Sequence, residues 1–577
     1  MIRLHSLHRK CVTLVAFVAL ALTPAHAQDL RGGAAPAAVA APAVTARHGM
    51  VVAQEKLAAE IGARFLAQGG NAVDAAVATG FAMAVTYPRA GNLGGGGFMV
   101  IHRASGEDVA IDYRETAPKA ATSDMFLTNG KPDPAKSRNS ALGIGVPGTV
   151  AGLALALEKC GSGKFTLAQL IAPARELAQD GFVVADDFAD TLEQMRSRLG
   201  LWPSAAQVFV RPDGSPLQRG DRLVQGDLAA TLRAIAEQGP DGFYHGAVAT
   251  KLAQGIQRAG GLITTDDLAD YRAVIRKPVR GTYRGNDIVA MPLPSSGGVV
   301  LIETLNILEG FALHDLGAGT PPSLHLLIEA MKRAYADRAR YLGDPAFSEA
   351  PLAKLLSKDY AATLRKGIDI SRATPTTEVL KQPNEGQNTT HFSVADDQGN
   401  AVSNTYTLNF PYGVGLVAEG AGVLLNNELD DFTAAPGASN AFGLVGFEAN
   451  LPAPGKRPLS SMSPTIVLKD GKPVLITGSP GGSRIISAVL QVIVNVIDNR
   501  MDIAEAVAAP RLHHQWMPDE VRVEHGFPAA TLDALRAMGH HIVMPLGQTS
   551  ANSIQIDVYG FHGAPDPRTR GATAAGN

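Results

Sequence analysis

The chain has 577 residues, 18% of them charged, and a formal net charge of -3 at pH 7. That balance excludes a protein built around nucleic acid or an anionic membrane surface, either of which would need a clustered excess of Lys and Arg. Two cysteines, Cys11 and Cys160, exclude a disulfide-stapled scaffold, and a chain this long can stand on an apolar core without staples.

Residues 1–27 read as an address label. Arg3, Arg9 and Lys10 form a charged n-region, residues 12–22 an apolar h-region, and Ala25, His26 and Ala27 a small-residue cleavage site. The apolar run is too short to span a bilayer, and no other segment reaches about 18 uninterrupted apolar residues. The longest rival, 485–497, is interrupted by Ser487, Gln491 and Asn495 and reads as a buried core helix. The expected mature protein is therefore exported, periplasmic or secreted, with no membrane span. Losing three cations takes its formal charge from -3 to -6 and leaves Cys160 alone.

After an Ala/Gly/Pro linker at 32–42, residues 57–86 carry alanines at near-helical spacing. The spacing predicts two close-packed helices divided at Gly69, Gly70 and Asn71. Next come Asn92, Leu93 and the four glycines 94–97. A phosphate-binding loop would need a Lys and a Ser or Thr after the glycines and a helix beyond them; here a strand, 98–103, follows, so close backbone approach is the better reading. That strand pairs with 109–113 in a hairpin that delivers Arg114. Residues 151–373 are expected to be mostly helical cover, and no repeat of 20 to 50 residues stands out.

The texture then changes to short strands and tight turns. Thr389 follows a polar, turn-prone run and opens an extended segment, 390–394, which turns at 397–400 and returns along 401–408. A threonine hydroxyl is a weak nucleophile at neutral pH, and an α-amine with a pKa of about 8 is a suitable adjacent base. Thr389 gains that amine only if the chain is cut before it. Along the returning strand, Thr405, Thr407 and Asn409 share one face and can look toward Thr389. A second hairpin, 464–468 and 473–477 around Asp470 and Gly471, runs into Gly478, Gly481 and Gly482 and then a helix from Ser483. The glycine amides at that helix start are a natural oxyanion site.

Two chemical complements remain. Glu428 and Asp431, one helical turn apart with no Lys or Arg near them in sequence, want a cation. Arg114 with Ser460 and Ser461 offers a fork and two hydroxyls for a carboxylate. Together they describe the head group of a free amino acid. The pairs His513–His514 and His540–His541 have no partner at metal-ligand spacing and read as structural.

With these pieces in place the sequence resembles the γ-glutamyltransferase (γ-glutamyltranspeptidase) family of N-terminal nucleophile hydrolases. The resemblance rests on residues 91–97, 112–115, 388–391, 458–464 and 478–484 and covers nearly all of the chain after residue 27. It implies a four-layer αββα sandwich, an α+β fold, made as a precursor that cuts itself between Asn388 and Thr389. The products would be a large subunit, 28–388, and a small subunit, 389–577, held as a heterodimer. It further implies that Thr389 becomes nucleophile and, through its amine, general base. Thr407 would support that amine, and Gly481 and Gly482 would hold the oxyanion. Arg114, Ser460 and Ser461 would take the donor's α-carboxylate, while Asn409, Glu428 and Asp431 would take its α-amine.

The resemblance also implies small-molecule partners, no cofactor and no metal: glutathione or other γ-glutamyl compounds as donors, and water, amino acids or dipeptides as acceptors. Two positions depart from its pattern. Glu428 stands where some bacterial relatives have Gln. Phe442 stands in the segment 436–447, similar to the family's lid loop, where several bacterial relatives place a tyrosine whose hydroxyl latches onto the Asn409 position. The rival readings are a related acylase that removes glutaryl-like side chains from β-lactam nuclei and an unprocessed protein that only binds glutamyl compounds.

Overall fold

The computed structural model describes residues 40–376, 389–547 and 549–577. The address label at 1–27 and Asn388 lie outside the described residues.

In chain order the described part opens with strands β1 (Val44–Ala46) and β2 (Gly49–Ala53) and helices α1 (Lys56–Ala67) and α2 (Ala72–Thr86). The two helices part at Gly69 and Gly70, as the sequence predicts. Asn71 caps α2: its side chain accepts from the Val73 and Asp74 amides, and the Asp74 carboxylate accepts from the Asn71 N–H. The cap is reciprocal, so two of the helix's otherwise unpaired amides are satisfied at once. All residues of α2 are buried, which accounts for a composition apolar on every side.

Strands β3 (Gly96–His102) and β4 (Asp108–Tyr113) form the predicted hairpin, and α3 (Thr149–Cys160) follows. The stretch expected to be helical cover is mostly so. It also holds strands that the composition did not announce: the short pair Phe182–Val183 and Arg222–Leu223, and then β5 (Val274–Arg276), β6 (Val279–Tyr283) and β7 (Asn286–Ala290). Arg284 and Gly285, both with positive φ, make the two-residue turn between β6 and β7. Then come α4 (Gly297–Leu308), α5 (Pro321–Tyr341), β8 (Thr390–Asp396), β9 (Ala401–Thr407), β10 (Thr465–Lys469), β11 (Lys472–Thr477) and α6 (Arg484–Ile497). The chain closes with β12 (Ser553–Asp557), β13 (Gly560–Ala564) and β14 (Thr573–Gly576).

Among the described residues two seven-stranded sheets form, in the orders β14-β2-β8-β9-β3-β4-β5 and β1-β13-β12-β11-β10-β7-β6. Because side chains alternate along a strand, each sheet sends one row inward and one outward. Met50, Val52, Phe98 and Val100 meet Ile466, Leu468, Ile476 and Ile554 between the sheets. Their neighbours Val51, Ala53, Met99 and Ile101 pack outward against α1, α2 and α3. Ile288, Val467 and Leu475 pack outward on the other side, against α4, α5 and α6. The result is four layers in the order helix, sheet, sheet, helix. Strands covered on both faces need no polar side, and β2 and β3 are accordingly apolar along both rows.

The four glycines 94–97 are explained by contact. A Cβ on Gly95 would stand 2.1 Å from the Thr407 carbonyl oxygen, and one on Gly97 would stand 2.4 Å from the Tyr406 Cβ. No nucleotide phosphate is involved: β3 presses directly on β9, and through it fixes the end of the strand that carries Thr407.

Gly97→Ala should therefore cost about 1 to 3 kcal/mol or more, since backbone and a Cβ must move to admit the methyl group. Gly226, at the start of a helix, is the control: a Cβ added there would meet nothing within 4 Å, so Gly226→Ala should be neutral or slightly stabilising. Thermal melts of both variants beside the parent protein check this, and equal melting temperatures for the two variants would contradict it.

Candidate active site

Strand register decides what faces Thr389. Thr390 pairs with Tyr406 and His391 with Thr405, so Thr389 comes opposite Thr407 at the mouth of the β8–β9 pair. The hydroxyls stand 3.4 Å apart, and the Thr407 oxygen also accepts from the Asn409 amide at 2.8 Å. Odd-numbered residues of β8 point between the sheets, and near Thr389 this row turns polar. His391 bonds the hydroxyls of Thr405 and Ser393 at 2.9 and 3.0 Å. Ser403 donates to the Thr477 carbonyl at 2.9 Å. Burial pushes the His391 imidazole down to about 3, so it is neutral at physiological pH and serves as a hydrogen-bonded spacer in the row.

The predicted glycine loop is in place before α6. Gly481 and Gly482 have φ of 135° and 58°, in the region where a side chain is strained. Gly482 lines the same pocket as Thr389 and Thr407, whereas Gly481 is its chain neighbour and not part of the lining.

That pocket gathers Arg114, Thr389, Thr407, Asn409, Glu428, Asp431, Ser460, Ser461 and Gly482 from segments far apart in sequence. Asn409 is held by its own fold: φ is 74° and its side-chain amide donates to the Asn427 carbonyl at 2.9 Å. Glu428 to Asp431 form a single 3₁₀ turn, as their spacing predicts. Asp430 turns away to Arg138 and Ser137.

One expectation needs correcting. The two acids are not without an arginine: Arg114, fully buried, reaches across 314 positions to hydrogen-bond the Glu428 carboxylate and stands 2.5 Å from the Asp431 carboxylate. The two groups that the sequence analysis assigned to opposite ends of a ligand are paired with each other. Sequence distance concealed this, because the pair is joined only by the meeting of β4's end with the turn after β9. The Arg114 geometry is fixed further by its Nε donating to the Pro458 carbonyl at 3.1 Å and by the Tyr271 hydroxyl on its own carbonyl at 2.8 Å.

Electrostatics follow from burial. Desolvation raises Glu428 well above the ordinary carboxyl range and raises Asp431 also, with Arg114 opposing both shifts. Glu115, buried beside Arg114 with neither carboxyl oxygen hydrogen-bonded through its side chain, is pushed up to about 8 by the same cause. Arg114 is held above its ordinary value, because Glu428, Asp431 and Glu115 outweigh the burial that would discharge it.

The segment 436–447 lies over the pocket. Phe442 is 3% exposed and stacks on Phe410, with ring centroids 6.2 Å apart. Its ring would clash at 2.2 Å with any Cβ on Gly482. The loop is held by Asn440, whose side-chain amide donates to Asp431 at 3.1 Å while its oxygen accepts from the Phe442 and Leu444 amides. Gln515 also donates to the Phe442 carbonyl at 3.1 Å. Sequence reading missed Asn440, Gln515 and Glu115, and nothing in their local spacing marks them.

The histidine pairs also need one correction. His513, His514 and His540 are buried and hydrogen-bonded, His513 to Ser487 and Gln515, His514 to Asp519. His540, however, does have neighbours of ligand type: with His325 and Glu329 its donor atoms lie within 4.8 Å of one another. The His325 and His540 nitrogens are 2.7 Å apart, closer than the roughly 3.3 Å between two nitrogens on a tetrahedral zinc with bonds of about 2.0 Å. The Glu329 carboxylate is occupied by Thr374 and Arg333. The trio is a hydrogen-bonded clamp on the segment 369–374.

Comparison with known proteins bears on the family and the fold. Residues 58–576 match the γ-glutamyltranspeptidase family. The glutathione hydrolase proenzyme of Escherichia coli (strain K12) is 50% identical over 538 residues, 92% of each chain. Among solved structures, cephalosporin acylase from Bacillus halodurans superposes with a TM-score of 0.82 at 28% identity, covering 94% of this chain and 98% of that one. Helicobacter pylori γ-glutamyltranspeptidase, 44% identical, covers 59% of this chain and 95% of its own with a TM-score of 0.55. With a family match across nearly its whole length, this chain belongs to the γ-glutamyltranspeptidase family.

Proposed function

We propose that the chain is made as an exported precursor, cuts itself between Asn388 and Thr389, and then hydrolyses or transfers the γ-glutamyl group of glutathione and related compounds. The observation that carries this reading is the single pocket in which Thr389 and Thr407 stand beside both halves of an amino-acid complement. No described helix is long and apolar enough to cross a membrane.

The chemistry follows from the groups present. The Thr389 hydroxyl attacks the γ-carbonyl carbon while its own α-amine takes the hydroxyl proton; the developing oxyanion sits against the Gly481 and Gly482 amides. As the tetrahedral intermediate collapses, the C–N bond breaks and the ammonium returns its proton to the leaving amine. A γ-glutamyl ester remains on Thr389, and water or the amine of an amino acid or peptide attacks it by the same route in reverse. Every step is acid–base and acyl transfer, so no cofactor is called for.

Recognition is an exchange. The donor's ammonium takes Glu428, Asp431 and the Asn409 side-chain oxygen, and its carboxylate takes Arg114, Ser460 and Ser461, so an ion pair within the protein becomes two between protein and ligand. The likeness to a cephalosporin acylase favours a second reading, removal of glutaryl-type groups. Glutaryl has no amine, and its binding would leave Glu428 and Asp431 facing each other without the cation they held.

Purified active protein should run as two pieces of roughly 38 and 20 kDa, scaled from 60.2 kDa for the whole chain, and Thr389→Ala should stay uncut. A single full-length band in active wild-type enzyme would overturn self-processing.

Losing a charge-assisted contact costs on the order of 2 to 3 kcal/mol, about thirty- to a hundred-fold in kcat/KM. Asp431→Asn should lose that much on a γ-glutamyl anilide and markedly less on the glutaryl anilide. Equal losses would remove Asp431 from ammonium recognition, and a wild type preferring glutaryl would favour the acylase reading.

The raised carboxyls give a pH dependence with a definite sign. Protonation of Glu428 or Asp431, both raised by burial, removes the attraction for an ammonium, so donor KM should rise as pH falls across the range assayed. Glu428→Gln, which cannot ionise, should flatten part of that rise. A KM for the variant that climbs as steeply as the wild type's would show that Glu428 does not titrate in this range.

A further inference from the structure

Arg338, near the end of α5, is 4% exposed and forms no ion pair with any described carboxylate. Its Nε donates to the Ser296 hydroxyl at 2.9 Å and its Nη2 to the Ser461 hydroxyl at 3.2 Å. Ser296 in turn donates to the Ser460 carbonyl at 2.6 Å. The guanidinium therefore stands directly behind the two serines that line the pocket. Burial lowers it to about 10, which leaves it charged at physiological pH.

A buried cation held only by hydroxyls is costly unless an anion arrives to use its field. The hydroxyl protons say where that anion sits. Ser461 Oγ accepts from Arg338 and Ser460 Oγ accepts from the Met462 amide at 3.1 Å. Neither O–H finds an acceptor among the described residues, although both serines line the pocket that holds Thr389. With their lone pairs engaged from behind, their protons are left to point into the cavity.

We propose that Arg338 is a positioning residue for the donor's α-carboxylate: it fixes and polarises the Ser461 hydroxyl and braces Ser460 through Ser296, so that both donate to a carboxylate delivered to Arg114. The proposal rests on the functional reading above and deepens it. Arg114 is paired directly with Glu428 and Asp431, whereas Arg338 makes no ion pair with a described carboxylate and feels only the field of nearby Asp431.

The test uses processed enzyme and two anilides, γ-glutamyl and 4-aminobutyryl, the second keeping the amine and lacking the α-carboxylate. Arg338→Met should raise γ-glutamyl KM about ten-fold or more with kcat within about three-fold, and should leave 4-aminobutyryl kcat/KM unchanged. Arg338→Met should cost less on top of Ser461→Ala than on its own, because part of its effect runs through that one contact. Ser296→Ala, a milder change that removes the Nε anchor and the hydroxyl's bond to the Ser460 carbonyl, should raise γ-glutamyl KM a few-fold and serves if Arg338→Met is not processed. Equal losses on both anilides, additivity with Ser461→Ala, or an unchanged γ-glutamyl KM in Arg338→Met and Ser296→Ala would each overturn the proposal. Wild-type enzyme that turns over neither anilide but accepts the glutaryl one would instead overturn the functional reading.

Discussion

The pairing register of β8 against β9 is the constraint on which the rest depends. Thr389 opposes Thr407 because Thr390 pairs with Tyr406, and a slip of one residue would turn Thr389 from the inter-sheet layer into the helix-facing layer. Much of the fold serves to forbid that slip. Phe392 and Val394 are packed outward among the residues of α1 and α2, and β3 is pressed against β9 by glycines that leave no room for adjustment. On the proposed reading Thr389 uses its own amine as base and carries little machinery with it, so its placement must come from the strands.

The second organising feature is charge buried in a small volume. Arg114, Glu428 and Asp431 are brought together by segments that have no local relation to one another, and their mutual neutralisation is what makes an empty pocket tolerable in a dry interior. Arg338 reaches this cluster through Ser461 and Asn440 reaches it through Asp431, and Arg338, Asn440 and Asp431 line one further cavity. The lid segment is thus hydrogen-bonded to one of the acids, so the state of Asp431 and the seating of Phe442 are mechanically connected through Asn440. The hydroxyl latch absent from Phe442 is matched by a side-chain amide two residues earlier.

What could be read from sequence was what is local. Hairpin turns such as Asp470–Gly471, the helix break at Gly69–Gly70 and the glycine loop before α6 are written within a few residues of where they act. The residues of the pocket could be named because each belongs to a recognisable stretch, and the structure brings all but Gly481 into one lining. Strands β6 and β7 were passed over although Arg284–Gly285 between β-branched and aromatic residues was a hairpin signal; the helical texture around them outweighed it. Arg338 and Asn440 were beyond reach for a different reason. Their meaning lies in what they touch across more than a hundred positions or in a turn whose direction no pattern fixes, and on their own they are an arginine in an amphipathic helix and an asparagine in a loop.

The self-neutralised pocket also sets terms for what can occupy it. A lone anion that reaches Arg114 must displace two carboxylates and strand them, and a lone cation that reaches the carboxylates must strand the guanidinium. Only a ligand bearing both charges, spaced as on one α-carbon, replaces what it removes. On the proposed reading the site would therefore exchange whole zwitterions, with common salts poor competitors by stoichiometry as much as by size. On that reading, discrimination among carboxylic acids in a crowded solution comes from the pairing of Arg114 with Glu428 and Asp431, apart from any contact with the scissile bond.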